Sequence, residues 1–210
     1  MYDSLSFQSR KNPKAVIASF KQAFNENDLS VGLVVKVNNA KMLENEINEL
    51  EKLKGNYINI YFITDTLSRI EINGLISCCD VAVSLHRSEG LGLLCQEAMY
   101  FGKPVIATNW SGNVDFMDNE TACMVDYSLV PIGNDIGPYK ANQRWAEADV
   151  SHASMYMCKL KEDKEFYHKI GGNAQKYIQS YYSAKHCSKR MKDRIEFIMK
   201  SNKIVTEEGY

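Results

Sequence analysis

Neither sign of charge is in excess in this 210-residue chain: 25 Lys and Arg stand against 26 Asp and Glu, a formal net charge of -1. That balance advertises no polyanion-binding surface and argues against nucleic acid as a partner. No apolar run approaches the ~20 residues that a membrane-spanning helix needs; the longest, such as residues 31–37, are strand-sized. Peripheral membrane contact stays open. The six cysteines, Cys78, Cys79, Cys95, Cys123, Cys158 and Cys187, form no C-x-x-C pair and no Cys/His ligand spacing. With no signal-peptide pattern before them, they read as reduced thiols packed as small hydrophobes in the cytosol. No metal-ligand cluster and no internal repeat is present, and no cofactor is expected.

What is there is ordinary in bulk and informative in pattern. The length suits one domain, or one domain with a helical appendage, and 45% hydrophobic content can supply its core. Short β-branched runs at 31–37, 58–63, 81–85 and 104–107, with weaker ones at 2–7 and 122–125, alternate with segments of helical period. This alternation is the signature of βαβ units and predicts an α/β, doubly wound, mostly parallel sheet. Asn12 before Pro13 is a helix start signal, and Ile17, Phe20 and Phe24 mark one face of the helix that follows. Residues 128–142, with Pro131, Gly133, Gly137 and Pro138, read as a long loop. From Trp145 the strand signal stops; Phe166, Ile170, Ala174, Tyr177, Ile178 and Tyr181 share one helical stripe, and Met191, Ile195, Ile198 and Met199 another. The expected division is a Rossmann-like unit at 1–144, a helical segment at 145–200 packing on it, and a frayed tail at 201–210.

One stretch carries chemistry. Residues 84–113, SLHRSEGLGLLCQEAMYFGKPVIATNWSGN, place Glu89 and Glu97 eight positions apart across a Gly90-Leu91-Gly92 turn. The spacing alone is nearly worthless, because acidic residues are common here. The context is better: a strand at 81–85, a helix from Leu93 to Phe101, and a glycine-bearing turn between them at the carboxyl edge of a parallel sheet, where ligands bind. Glycines let backbone N–H groups approach a ligand, and those groups with the helix N-terminus suit a phosphate. Glu89 and Glu97 can then accept hydrogen bonds from sugar hydroxyls at opposite ends of a ligand with an anionic middle.

Each of these residues also has a plain structural reading. Glu97 can be a solvated helix residue and Glu89 a turn residue at a helix start; Gly90 and Gly92 can simply make a tight turn. Arg10 and Lys11 can be an exposed basic pair, and His86 and Arg87 either pocket wall or loop structure. His152, His168 and His186 read as packing or surface residues, and Trp145 as an aromatic buried at a helix start.

Glu89, Glu97, Ala98-Met99, Gly102-Lys103-Pro104-Val105-Ile106 and Ser111-Gly112 together resemble the E-x7-E signature region of the retaining GT-B glycosyltransferases (glycosyl transferases group 1, family 4). The resemblance covers roughly residues 10–125 and is densest over 80–113. It implies the donor-binding half of an enzyme that moves a hexose from a nucleoside-diphosphate sugar to a glycan or polysaccharide acceptor. By the resemblance, Glu97 binds the ribose hydroxyls, Glu89 contacts the transferred sugar near the reacting centre, and the amides of Gly90, Leu91, Gly92 and Leu93 hold the diphosphate. Lys11, with Arg10, matches the basic residue that neutralises the leaving group without a metal, and the base maps loosely onto Thr64 to Ser68.

Two departures accompany the match. No arginine lies near 3–7, where the family has a Gly-Arg pair, so that role passes to Arg10 or Arg87 or goes unfilled. Leu85-His86-Arg87-Ser88 replaces a usual Pro-Ser. The resemblance also implies that the acceptor domain is missing from this chain, which alone should bind nucleotide without turnover. Cytoplasmic assembly of surface glycans, at the inner face of the membrane or away from it, is the location it suggests. A non-catalytic nucleotide-binding or regulatory Rossmann module is the rival reading.

Overall fold

The computed structural model describes residues 1–40 and 44–207. Two three-stranded parallel sheets form its frame. The first has the order β1 (Tyr2–Asp3), β2 (Leu33–Asn38), β3 (Ile60–Ile63); the second has the order β4 (Ala82–Ser84), β5 (Val105–Thr108), β6 (Cys123–Val125). Helices α1 (Gln8–Lys11), α2 (Pro13–Ala23), α3 (Glu44–Lys54), α4 (Arg69–Cys78) and α5 (Leu93–Tyr100) connect the strands. Three more, α6 (Val150–Glu162), α7 (Lys164–Tyr181) and α8 (Ala184–Glu207), complete the described chain. This is the expected Rossmann-like α/β architecture with C-terminal helices.

Strand alternation sorts the core into two faces. Ile106, Cys123 and Val125 join Ile17 and Phe20 of α2 with Met157 and Leu160 of α6, whereas Val105, Ala107 and Met124 join Cys95, Ala98 and Met99 of α5 with Ala174 and Ile178 of α7. Helices cover both faces, so β5 and β6 are buried along their whole length, as parallel strands require. The same core that contains Ile106 and Val125 also contains Val35, Val37 and Ile60 of the first sheet. The two sheets therefore lie side by side under α2 and α6.

Two segments differ from the sequence expectations. Residues 128–142 are not one loop: β7 (Tyr127–Pro131) and β8 (Arg144–Ala148) form an antiparallel hairpin, pairing Val130 with Trp145 and Pro131 with Arg144. Strand structure thus runs through Ala148, and Trp145 is buried in a strand rather than at a helix start. Pro131 is tolerated because the ladder bond is made by its neighbour Ile132, whose N–H donates to the Gln143 carbonyl (2.9 Å), so that no donor is needed at Pro131. At the other end of the chain, the 2–7 run yields only two strand residues. Asp3 turns the backbone by accepting from the Leu5 N–H (2.9 Å), and Phe7 takes φ 64°, outside the extended region. Helix α8 runs to Glu207, and residues 208–210 lie outside the described residues.

Candidate functional site

The β4–α5 connection builds the site from backbone outward. Gly92 sits at φ 86°, a left-handed conformation costly for other residues, and is the N-cap of α5. It has no side chain with which to cap that helix. The N–H groups of Cys95 and Gln96 bond to the Gly92 carbonyl (2.9 and 3.2 Å). Those of Leu91, Gly92, Leu93 and Leu94 have no acceptor among the described residues. Gly90, Leu91 and Leu93 are exposed. The positive end of α5 thus carries a row of unsatisfied donors, exposed at Leu91 and Leu93 and buried at Gly92 between them.

A strap from the β5 end holds this turn. Gly112 N–H donates to the Glu89 carbonyl (3.0 Å), and the Glu89 N–H donates to Ser111 Oγ (2.9 Å). The approach is so close that a Cβ on Gly112 would lie 2.0 Å from the Gly90 carbonyl oxygen. Beneath it, His86 is fully buried. Asn113 Nδ2 donates to the Thr108 carbonyl (2.9 Å), which leaves Asn113 Oδ1 facing His86 Nε2 at 3.0 Å beside the Trp110 carbonyl at 3.1 Å. Two acceptors there assign the proton to Nε2, and Nδ1 accepts from the Ser84 hydroxyl (3.0 Å). Burial lowers the imidazole pKa, so His86 is a neutral brace between turn and strap.

The basic side of the site comes from α1. Asn12 adopts a left-handed conformation (φ 52°) that closes α1, while its side chain caps α2 at the Ala15 N–H (3.4 Å) and donates to Glu147 Oε1 (3.2 Å). This corner aims Lys11 Nζ at Glu89 Oε2 in a close ion pair. Arg10 adds its guanidinium 3.6 Å from the same oxygen and donates to the Ser88 carbonyl (2.7 Å). Burial pushes the Glu89 carboxyl up, but the Lys11 hydrogen bond and the Lys11 and Arg10 charges outweigh it, so its pKa is held below 4.5. Phe7, Asn12 and Ser111, three of the four non-glycine residues at positive φ among the described residues, lie in the segments framing this pair. Backbone strain concentrated in this way accompanies functional sites.

One cavity brings the pieces together. Its lining includes Lys11, Glu89, Leu91, Gly92, Leu93 and Glu97. Glu97 is occupied by Arg69 of α4, which donates from Nη2 to Oε1 at 2.7 Å. Arg69 escaped the sequence reading, although Ser68 and Glu71 form a capping box that marks the start of α4 and so fixes its position. Thr64 follows β3, is exposed, and does not line the cavity. Arg87 is turned away toward β8: it pairs with Glu147 at 2.6 Å, donates to the Ser9 carbonyl (2.8 Å) and lies over the Trp145 ring. Among the described residues, no group of three or more His, Cys, Asp or Glu side chains suited to a metal occurs, and no helix is long and apolar enough to cross a membrane.

Comparison with known proteins places this geometry. The model of the family described as glycosyl transferases group 1 matches residues 6–126. The chain belongs to that family. A search of curated proteins finds none that matches. Among solved structures, Anabaena Alr3699/HepE, crystallised with UDP and glucose, superposes with TM-score 0.69 at 16% identity over 89% of this chain and 45% of its own. Sucrose-phosphate synthase from Thermosynechococcus elongatus gives 0.65 at 18% identity over 91% of this chain and 43% of its own. The C-terminal domain of a group 1 family glycosyl transferase (LpcC) from Francisella tularensis gives 0.64 at 19% over 83% and 81%. The chain therefore spans less than half the length of the first two and most of the isolated C-terminal domain. At these identities the likeness shows the GT-B fold.

Proposed function

We propose that this chain is the donor-binding half of a retaining, metal-independent glycosyltransferase of the E-x7-E type, acting on a hexosyl nucleoside diphosphate and a glycan acceptor. The observation that carries the reading is the row of unsatisfied amides at Leu91–Leu94, flanked by Glu89 and Glu97 within one cavity. In this reading the diphosphate lies against those amides, Lys11 and Arg10 neutralise the charge that develops as the sugar–phosphate bond breaks, and Glu97 exchanges Arg69 for the ribose hydroxyls. Fixed amides and cations need no reorganisation during the reaction, which is why they stabilise a leaving group efficiently. Glu89 keeps its charge through the pairing with Lys11 and faces the sugar. HepE, a neighbour by fold, has been crystallised with UDP-glucose, which agrees with a nucleotide sugar as ligand.

The acceptor and the remaining catalytic groups belong, on this reading, to a preceding domain, and the whole enzyme assembles glycans in the cytoplasm, at the inner face of the membrane or away from it. Calorimetric titration with UDP, GDP and ADP tests the reading. At least one should bind, more weakly to Lys11→Ala, while the chain alone transfers no sugar. Flat traces with all three nucleotides would defeat the donor-site reading, and rapid sugar transfer by the isolated chain would defeat the half-enzyme reading.

A further inference from the structure

The two cations of the candidate site stand on an element that cannot hold itself. Helix α1 is a single turn between Phe7 and Asn12, both at positive φ, and one helical turn is unstable in water without outside contacts. The direction of Arg10 and Lys11 is therefore set by what packs around them. On one flank Gln8 donates to the Glu46 carbonyl (3.4 Å) and the Tyr2 hydroxyl (3.3 Å). The other flank and both ends of α1 are held by Arg87 and the β7–β8 hairpin.

Arg87 is the hub. Its backbone N–H donates to the Arg10 carbonyl (2.8 Å), and its carbonyl accepts from the Ala146 N–H of β8 (3.0 Å), so its main chain bridges α1 and the hairpin. Its guanidinium repeats the link. Nη1 donates to the Ser9 carbonyl (2.8 Å), Nε and Nη2 both reach Glu147 Oε2 (2.6 Å each), and Cζ lies 5.3 Å from the centre of the Trp145 ring. The Ser9 and Arg10 carbonyls belong to the last turn of a helix, where no partner exists inside it. Glu147 Oε1 accepts from Asn12, which closes α1 (3.2 Å). At the start of α1 the hairpin tip sits on Phe7: Tyr139 meets its ring edge-on at 6.0 Å between centroids, and a Cβ on Gly137 would lie 2.2 Å from Phe7 Cζ.

We propose that the β7–β8 hairpin is a clamp on α1 and that Arg87 is its positioning residue: held by Glu147, it grips the Ser9 and Arg10 carbonyls and keeps Lys11 and Arg10 turned to Glu89. Arg87 then acts on a diphosphate without touching it. The ligand in this statement rests on the donor-site reading; the link from clamp to ion pair does not. The clamp needs arginine, because a lysine ammonium can meet the Ser9 carbonyl or Glu147 but lacks the planar fork that spans both and stacks on Trp145. Glu89 reports the state of the clamp. Burial pushes its carboxyl up, and against burial Lys11, ahead of Arg10 and of His86 beneath, brings it below 4.5. Loosening α1 lets burial prevail.

Two measurements test the clamp, on Arg87→Lys and on Gly137→Ala, which drives a Cβ into the Phe7 ring from an exposed tip and leaves the core intact. The Glu89 side-chain carboxyl is first followed by carbon-13 NMR through an acid titration without ligand. Its midpoint should rise in both variants; a midpoint that stays in place in both would overturn the proposal. Calorimetry with inorganic pyrophosphate then compares Arg87→Lys, Lys11→Ala and the double variant. Arg87→Lys should weaken binding by about tenfold, as for one lost charge-assisted contact. Because Arg87 works through Lys11, the double variant should lose less than the product of the two single losses. Losses that multiply in full would show Arg87 acting independently of Lys11 and overturn the proposal. If neither pyrophosphate nor a nucleotide binds the unsubstituted chain, the donor-site reading falls, and the Glu89 titration still decides the clamp.

Discussion

Removing Arg69 and removing Glu97 should change nucleotide affinity in opposite directions. In the unliganded chain the Glu97 carboxylate is held by Arg69 at 2.7 Å, with side-chain exposures of 19% for the glutamate and 65% for the arginine. An ion pair with one partner that open to water contributes about 0–1 kcal/mol, so exchanging it for ribose hydroxyls costs little. Hydrogen bonds to a charged group contribute about 1.5–3 kcal/mol each. Two hydroxyls accepted by Glu97, each taken at the lower end of that range, less the released Arg69 pair, leave a net contribution of about 2–3 kcal/mol. Glu97→Ala should therefore weaken UDP or its equivalent by about 30- to 150-fold. Arg69→Ala, which frees the carboxylate, should strengthen binding by up to about fivefold. Calorimetry with the preferred nucleoside diphosphate measures both, and circular dichroism confirms that each variant is folded. Unchanged affinity in Glu97→Ala, or a large loss in Arg69→Ala, would refute the assignment of Glu97 to the ribose.

The architecture beneath the site makes further predictions. Gly112→Ala forces a Cβ to 2.0 Å from the Gly90 carbonyl oxygen, so turn and strap must separate; urea unfolding should show a loss of about 1–3 kcal/mol, and nucleotide affinity should fall with it. His86 is neutral when folded and its pKa is lowered from 6.5. As pH falls below that value the unfolded chain takes up a proton that the folded chain refuses, and stability should decline by up to about 1.4 kcal/mol per pH unit. His86→Gln should flatten that slope in a series of denaturant titrations. Burial pushes the Cys95 and Cys123 thiols up to about 12, whereas Cys78 is exposed. A thiol reagent at pH 8 should therefore modify Cys78 promptly and reach Cys95 and Cys123 only after unfolding.

Local pattern made most of the frame legible. The apolar runs at 31–37, 58–63, 81–85, 104–107 and 122–125 each overlap an observed strand, and Asn12-Pro13 marks the start of α2 as expected. The turn with its flanking glutamates was equally readable, because strand, glycines and helix follow one another within twenty residues. What escaped depends on pairing between distant segments. The β7–β8 hairpin spans a connection containing Pro138 and two glycines, which locally spells a loop, and its strands gain their burial from Arg87 and Asn12 through contacts more than fifty residues away. Arg69 has no sequence relation to Glu97, 28 positions on, and meets it only when α4 and α5 dock. Arg87 was readable as either pocket wall or loop, and the β8 partner Glu147 is what turns it outward. Lys36 sits within an apolar run yet is buried, because Asn38 Oδ1 (2.7 Å) and the Val37 carbonyl (3.2 Å) take its ammonium hydrogens.

The central claim is that the unsatisfied backbone donors after Gly90 grip a diphosphate. Amide chemical shifts of the isotope-labelled protein, followed while inorganic pyrophosphate and then a nucleoside diphosphate are added, test it directly. The account predicts that Leu91, Gly92, Leu93 and Leu94 shift first and furthest with both ligands, and that Glu97 and its neighbours respond only when the ribose is present. Saturable shifts elsewhere with these four amides silent would contradict it.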